Sequence, residues 1–245
     1  MGNVDYLLKV YLCSYKIQEY QVMTIQENLQ RLRQEIPNDV KLVAVSKTKS
    51  IEEIREAYAA GQSVFGENKV QELITKQAEL PKDIEWHFIG HLQTNKVRQI
   101  APFIGCIESI DSLKVLAEVN KEALKNSRII NCLLEFHIAT EESKSGLDYE
   151  SAHSLLGSND FSEMKNIRIT GVMGMASFCD NEEIIRSEFR MLKQLFSTLM
   201  QEYFMNNPEF REVSMGMSGD YRIAIDEGST IVRIGTAIFS ERSYN

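Results

Sequence analysis

Lys47 stands where an apolar run stops, in Lys41-Leu42-Val43-Ala44-Val45-Ser46-Lys47-Thr48-Lys49. The run is short, rich in valine, and bounded by Pro37-Asn38-Asp39 before it and polar residues after it, so it reads as a buried strand. A lysine just past the end of such a strand can have its ammonium partly desolvated. That lowers its pKa and frees the amine to attack a carbonyl. Taken alone, the same lysine could simply mark where the strand emerges into water.

Two later stretches point to an anionic ligand. Ser214-Met215-Gly216-Met217-Ser218-Gly219-Asp220 and Arg233-Ile234-Gly235-Thr236-Ala237-Ile238 each combine glycine with hydroxyl residues. Glycine lets a backbone amide approach a phosphate closely, and hydroxyls donate to its oxygens. Other polar residues have plainer readings. His87 lies within a strand and reads as a satisfied core histidine, while His91 suits capping or support. The Glu52-Glu53 and Glu182-Glu183 pairs open helices, where carboxylates favour the positive end of the dipole. Met173, Met175, Met215 and Met217 read as packing. Ser46 and Ser177 have no base at recognisable spacing, and no Asp/Glu/His spacing suggests a metal.

The elements that must position these residues alternate. Strands are expected at Lys41–Val45, Ser63–Gly66, Glu85–Gly90, Cys106–Ser109, Ile129–Ala139, Ile167–Met175, Glu212–Met215 and Thr230–Ile234. Helical patterns fill the intervals, including one from Glu67 to Ala78 and a long one carrying Ile184, Phe189, Leu192 and Leu199. About eight strand-helix rounds without a composition break predict an α/β fold, a single (β/α)₈ barrel of TIM type. No G-x-G-x-x-G opens the first helix, which disfavours a dinucleotide fold. In such a barrel the active face lies at the strands' C-terminal ends. Lys47, Asn68, His91, Ser109, Ser214, Met217, Arg233, Gly235 and Thr236 fall there, with the two glycine-hydroxyl loops after strands seven and eight.

Composition narrows the class. The 245 residues are 43% hydrophobic and 25% charged, with net charge −8, a balance suited to a globular core. That acidity argues against nucleic acid and anionic membrane surfaces as partners. The four cysteines lack metal-ligand spacing and two sit in apolar runs, which predicts a reducing, cytoplasmic setting. Residues 1–22 read as a leader and a possible start-site artefact, because Met23-Thr24 looks like a fresh start with Thr24 as N-cap. The barrel is then expected over 23–245.

Several motifs in one order carry a resemblance. They are Val45-Ser46-Lys47-Thr48-Lys49, Phe65-Gly66-Glu67-Asn68, His87-Phe88-Ile89-Gly90-His91-Leu92-Gln93-Thr94-Asn95-Lys96, Glu142-Ser143-Lys144-Ser145-Gly146, Ser214-Met215-Gly216-Met217-Ser218 and Arg233-Ile234-Gly235-Thr236-Ala237-Ile238-Phe239. With these, the chain resembles the pyridoxal phosphate homeostasis protein family, whose barrel is similar to the alanine racemase N-terminal domain. The resemblance implies pyridoxal 5′-phosphate as cofactor, joined to Lys47 as an internal aldimine. It also implies phosphate contacts from Ser214, Gly235 and Thr236, with Asn68 lining the ring, Met217 in the same pocket, and Arg233 beside the phosphate or the ring nitrogen. Phe136-His137-Ile138-Ala139-Thr140 departs from the valine-asparagine pair of many relatives.

A strong electron sink needs a protonated pyridine, held by a carboxylate. The residue placed for that at strand eight is Arg233, and the racemases' second domain has no counterpart here. The expectation is therefore a monomeric, non-catalytic carrier or regulator in vitamin B6 and amino-acid balance, with apo forms of pyridoxal-phosphate enzymes as partners. The alternatives are a pyridoxal-phosphate-dependent amino-acid racemase and an unrelated barrel enzyme in which Lys47 engages a sugar phosphate.

Overall fold

The computed structural model describes residues 23–139 and 146–239. It opens with α1 (Ile25–Glu35), started by a capping box in which Thr24 and Glu27 satisfy each other's backbone amides. Ile25, Leu29 and Leu32 form its buried stripe. Then come β1 (Lys41–Val45), α2 (Ile51–Ala59), β2 (Val64–Glu67), α3 (Val70–Glu79), β3 (Glu85–Phe88), α4 (Thr94–Ile100) and β4 (Cys106–Ile110). The second half runs α5 (Leu113–Lys125), β5 (Ile130–Phe136), α6 (Tyr149–Leu156), α7 (Asn159–Ser162), β6 (Ile167–Gly174), α8 (Glu182–Tyr203), β7 (Glu212–Ser214), α9 (Tyr221–Asp226), β8 (Ile231–Ile234) and α10 (Thr236–Phe239).

The strands close into one barrel in chain order, all parallel, with β1 returning to pair with β8 from Lys41↔Ile231 to Ala44↔Ile234. This is the expected eight-stranded fold. Three local expectations are corrected. Glu67 ends β2 rather than opening the next helix, which starts at Val70. The fifth strand stops at Phe136, short of Ala139, and α10 forms where only a loop was expected.

Side chains alternate across each strand, so every second residue enters the barrel axis. Residues of the other parity build the large core between sheet and helices, with Phe65, Trp86, Phe88, Phe189 and Phe210 fully buried there. The axial side holds a small separate apolar cluster of Val43, Cys106, Leu133, Met173 and Ile231. Cys106 and Cys132 are buried thiols, as expected, and burial pushes both well above the usual thiol range. No described helix is long and apolar enough to cross a membrane.

Candidate functional site

The strands' C-terminal ends form the mouth. Lys47 lies two residues beyond β1 and is exposed. Continuing the register of β1 with β2 sets Asn68 beside Lys47, and that of β1 with β8 sets Gly235 beside Val45, just before the lysine. Asn68 and Gly235 are half-buried. The β2 end is packed tightly, since a Cβ on Gly90 would lie 2.5 Å from the Asn68 carbonyl oxygen. A Cβ on Gly235 would press to 3.2 Å from the Val45 carbonyl oxygen, so glycine keeps β8 close beneath the lysine.

The loop after β7 meets the start of α10. Ser218 Oγ accepts from the backbone amides of Gly235 (3.2 Å) and Ala237 (3.4 Å). Gly216 holds that loop at φ 95, and Asp220 closes it by accepting from the Met217 amide at 2.5 Å. Met217 is half-buried and Thr236 exposed. From outside, α1 fixes the assembly: Asn28 Nδ2 donates to the Ile238 carbonyl (3.0 Å), while Tyr221 and Arg222 both donate to Glu35.

Beneath the mouth the axis carries an ionic network beside its small apolar cluster. Arg233 is buried, with Nη1 donating to Ser214 Oγ at 2.5 Å and Nη2 to the Gly174 carbonyl at 2.9 Å. Ser214 is fully buried and donates to Glu108 Oε2 (2.5 Å), which lies 3.7 Å from the guanidinium. Glu108 Oε1 contacts His87 Nδ1 at 2.5 Å, and His87 Nε2 reaches Glu85 at 2.9 Å. His87 is thus the satisfied core histidine anticipated. Burial opposes its charge, yet the two carboxylates raise its pKa on balance. Burial likewise opposes ionisation of Glu108, but His87, Arg233 and Ser214 hold its pKa below the usual range. Glu85 is drawn down to about 2, chiefly by its bond to His87.

Sequence reasoning saw Arg233 but not the carboxylates around it. Glu108 comes from β4, and Glu135 sits two residues beyond axial Leu133 on β5. Burial raises the pKa of both Glu135 and Asp220, with Arg233 opposing the rise in each. The hydroxyl of Ser214, for which a phosphate contact was expected, is engaged by Glu108 and Arg233. Ser218, four residues on, carries the hydroxyl that faces free-standing amides; only its place in the same loop could have flagged it. His91 is exposed and paired with Asp111 at 3.0 Å, and Ser46 is buried against Glu67. The Glu142–Ser145 part of the fifth-loop motif lies outside the described residues. Among the described residues no His, Cys, Asp and Glu cluster could hold a metal.

The family model for the alanine racemase N-terminal domain matches residues 21–243. A pyridoxal phosphate homeostasis protein from Aquifex aeolicus is 41% identical over 209 residues, which span 84% of this chain and 89% of the relative. The solved structure of PipY from Synechococcus elongatus PCC7942 with PLP bound superposes with a TM-score of 0.79. It is 35% identical, and the match covers 88% of this chain and all of PipY. An alanine racemase from Clostridium difficile shares the fold at a TM-score of 0.73 and 12% identity, the match covering 91% of this chain and 61% of that one. The exposed strand-end lysine, the glycine-hydroxyl loops and these matches converge: the chain belongs to the alanine racemase N-terminal domain family, among its pyridoxal phosphate homeostasis proteins.

Proposed function

We propose that this protein binds pyridoxal 5′-phosphate at the barrel mouth through Lys47 and serves vitamin B6 and amino-acid balance as a carrier, not a turnover catalyst. The observation that carries the reading is the placement of Lys47. It is an exposed residue just past the end of β1, whose pairing with β8 leads to the amide-rich start of α10. When bound, the cofactor supplies an aldehyde with which a primary amine condenses, releasing one water.

The donor set fits the group. The amides of Gly235 and Ala237 already converge on one oxygen, the Ser218 hydroxyl, as they would on a phosphoryl oxygen. Asn68, Met217 and Thr236 line the same rim. Arg233 is a buried positive charge beneath the mouth, which would disfavour protonation of a ring nitrogen held beside it. The carboxylate nearest to it, Glu108, is already engaged by His87 and Ser214. Holding and handing over the cofactor fits this arrangement better than carbanion chemistry.

Recipients would then be apo forms of pyridoxal-phosphate enzymes, met by a monomer in the cytoplasm. Free Cys106, Cys132 and Cys179 suit that reducing compartment. The test is a visible spectrum of the purified protein beside Lys47→Ala. The wild type should turn yellow with pyridoxal phosphate, and borohydride should fix label at Lys47. A colourless wild type, or label elsewhere, overturns the proposal; conversion of an L-amino acid to its D-isomer overturns the carrier part alone.

A further inference from the structure

Behind Lys47, on the side of the barrel wall that faces α3, lies a buried charged cluster that cofactor binding does not require. Lys76 of α3 is 4% exposed, and its Nζ donates to three acceptors. These are the Ser46 carbonyl (2.7 Å), Glu67 Oε1 (2.7 Å) and Glu72 Oε1 (2.6 Å). An ammonium has three donors, so all are used. Glu67 Oε1 also takes the Ser46 hydroxyl at 2.6 Å, and Glu72 Oε1 takes the Thr48 amide.

These contacts converge on one stretch of backbone. Ser46 is held by its carbonyl, its hydroxyl and its amide, the last donating to Gly66 at 3.0 Å. Thr48 is held by its amide in the left-handed region at φ 66, a conformation that a β-branched residue adopts only under constraint. Lys47 is the single residue between these two clamps.

Stability alone does not account for the cluster. A buried ion pair gains little over apolar side chains of similar volume, and here one oxygen, Glu67 Oε2, is buried without a partner among the described residues. What an apolar replacement could not do is grip the carbonyl before Lys47 and the amide after it.

We infer that Lys76, with Glu67 and Glu72, is a positioning device that fixes the backbone on both sides of Lys47 and so aims its amine into the mouth. The inference rests on the reading of Lys47 as the pyridoxal-phosphate lysine. Misplacement of a reacting group by about 1 Å can cost on the order of 100-fold in rate.

Glu72→Gln is the first test, since Glu72 is the partly exposed member of the cluster and the substitution is close in shape. The measured quantity is the rate at which Lys47 takes borohydride-trapped pyridoxal-phosphate label, beside the melting temperature of cofactor-free protein. Glu72→Gln should slow labelling about tenfold or more while the melting temperature hardly moves. Adding Thr48→Asn, which tolerates the left-handed conformation, should recover most of that loss. Labelling at the wild-type rate in Glu72→Gln, or no recovery in the double variant, overturns the inference. A wild type that takes no label at Lys47 overturns instead the reading beneath it.

Discussion

Two serines four residues apart, Ser214 and Ser218, have opposite surroundings. Ser214 links Glu108 to Arg233 inside the barrel, while Ser218 offers its oxygen to the amides of Gly235 and Ala237 at the rim. Ser218→Ala should therefore weaken pyridoxal phosphate about tenfold, the worth of one hydrogen bond to a charged group, and leave phosphate-free pyridoxal unaffected. Titrating both ligands by absorbance checks this. Ser214→Ala should act chiefly on stability. Glu108→Leu is the severe change, since it strands Arg233 in the barrel without its paired carboxylate and leaves His87 with Glu85 alone. A loss of about 3–5 kcal/mol is expected in urea unfolding, and the added substitution Arg233→Met should cost less than the sum of the two. Lys47 could be read from the sequence because a cation after an apolar strand is a local signal. The partners of Arg233 could not, because they arrive from β4 and β7, far away along the chain.

At the scale of elements, strand-helix alternation was legible because each strand is short, apolar and fenced by polar residues. Glu67 was misplaced by the same local logic. Glutamate followed by Asn68-Lys69-Val70 looks like a helix start, but Ser46 and Lys76 supply partners only the closed fold provides, and these hold it as the last residue of β2. Where elements meet closely, glycine does what no pattern announces. Gly90→Ala would set a Cβ 2.8 Å from Asn68 Cα and 2.5 Å from its carbonyl oxygen, so the end of β2 must move. The variant should lose about 1–3 kcal/mol in stability, as overpacked sites do, together with affinity for pyridoxal phosphate. Melting curves with and without ligand would separate the two effects.

The whole molecule carries its ionic axis as a constraint on pH. Glu85 and Glu108 titrate below their ordinary value, so the stability they contribute is present above about 4.5 and fades as pH falls toward 2. His87 titrates above its ordinary 6.5, so its contribution is complete below that value and fades as pH climbs through the raised folded value. Urea midpoints should therefore peak between about pH 5 and 6.5 and fall on either side. In His87→Gln the decline on the alkaline side should flatten; an unchanged profile would remove His87 from the account.

The pairing of β1 with β8, and the bond from Asn28 to Ile238, join segments separated by most of the chain. Contacts of such long sequence separation form late, because a large loop must close before they give any return. In the proposed site the amine arrives with the first strand and the amides that would hold phosphate with the last. A nascent chain on the ribosome thus has no competent aldehyde trap until its final strand docks. In refolding, yellow colour should grow with the slowest kinetic phase, making the ligand a clock for ring closure.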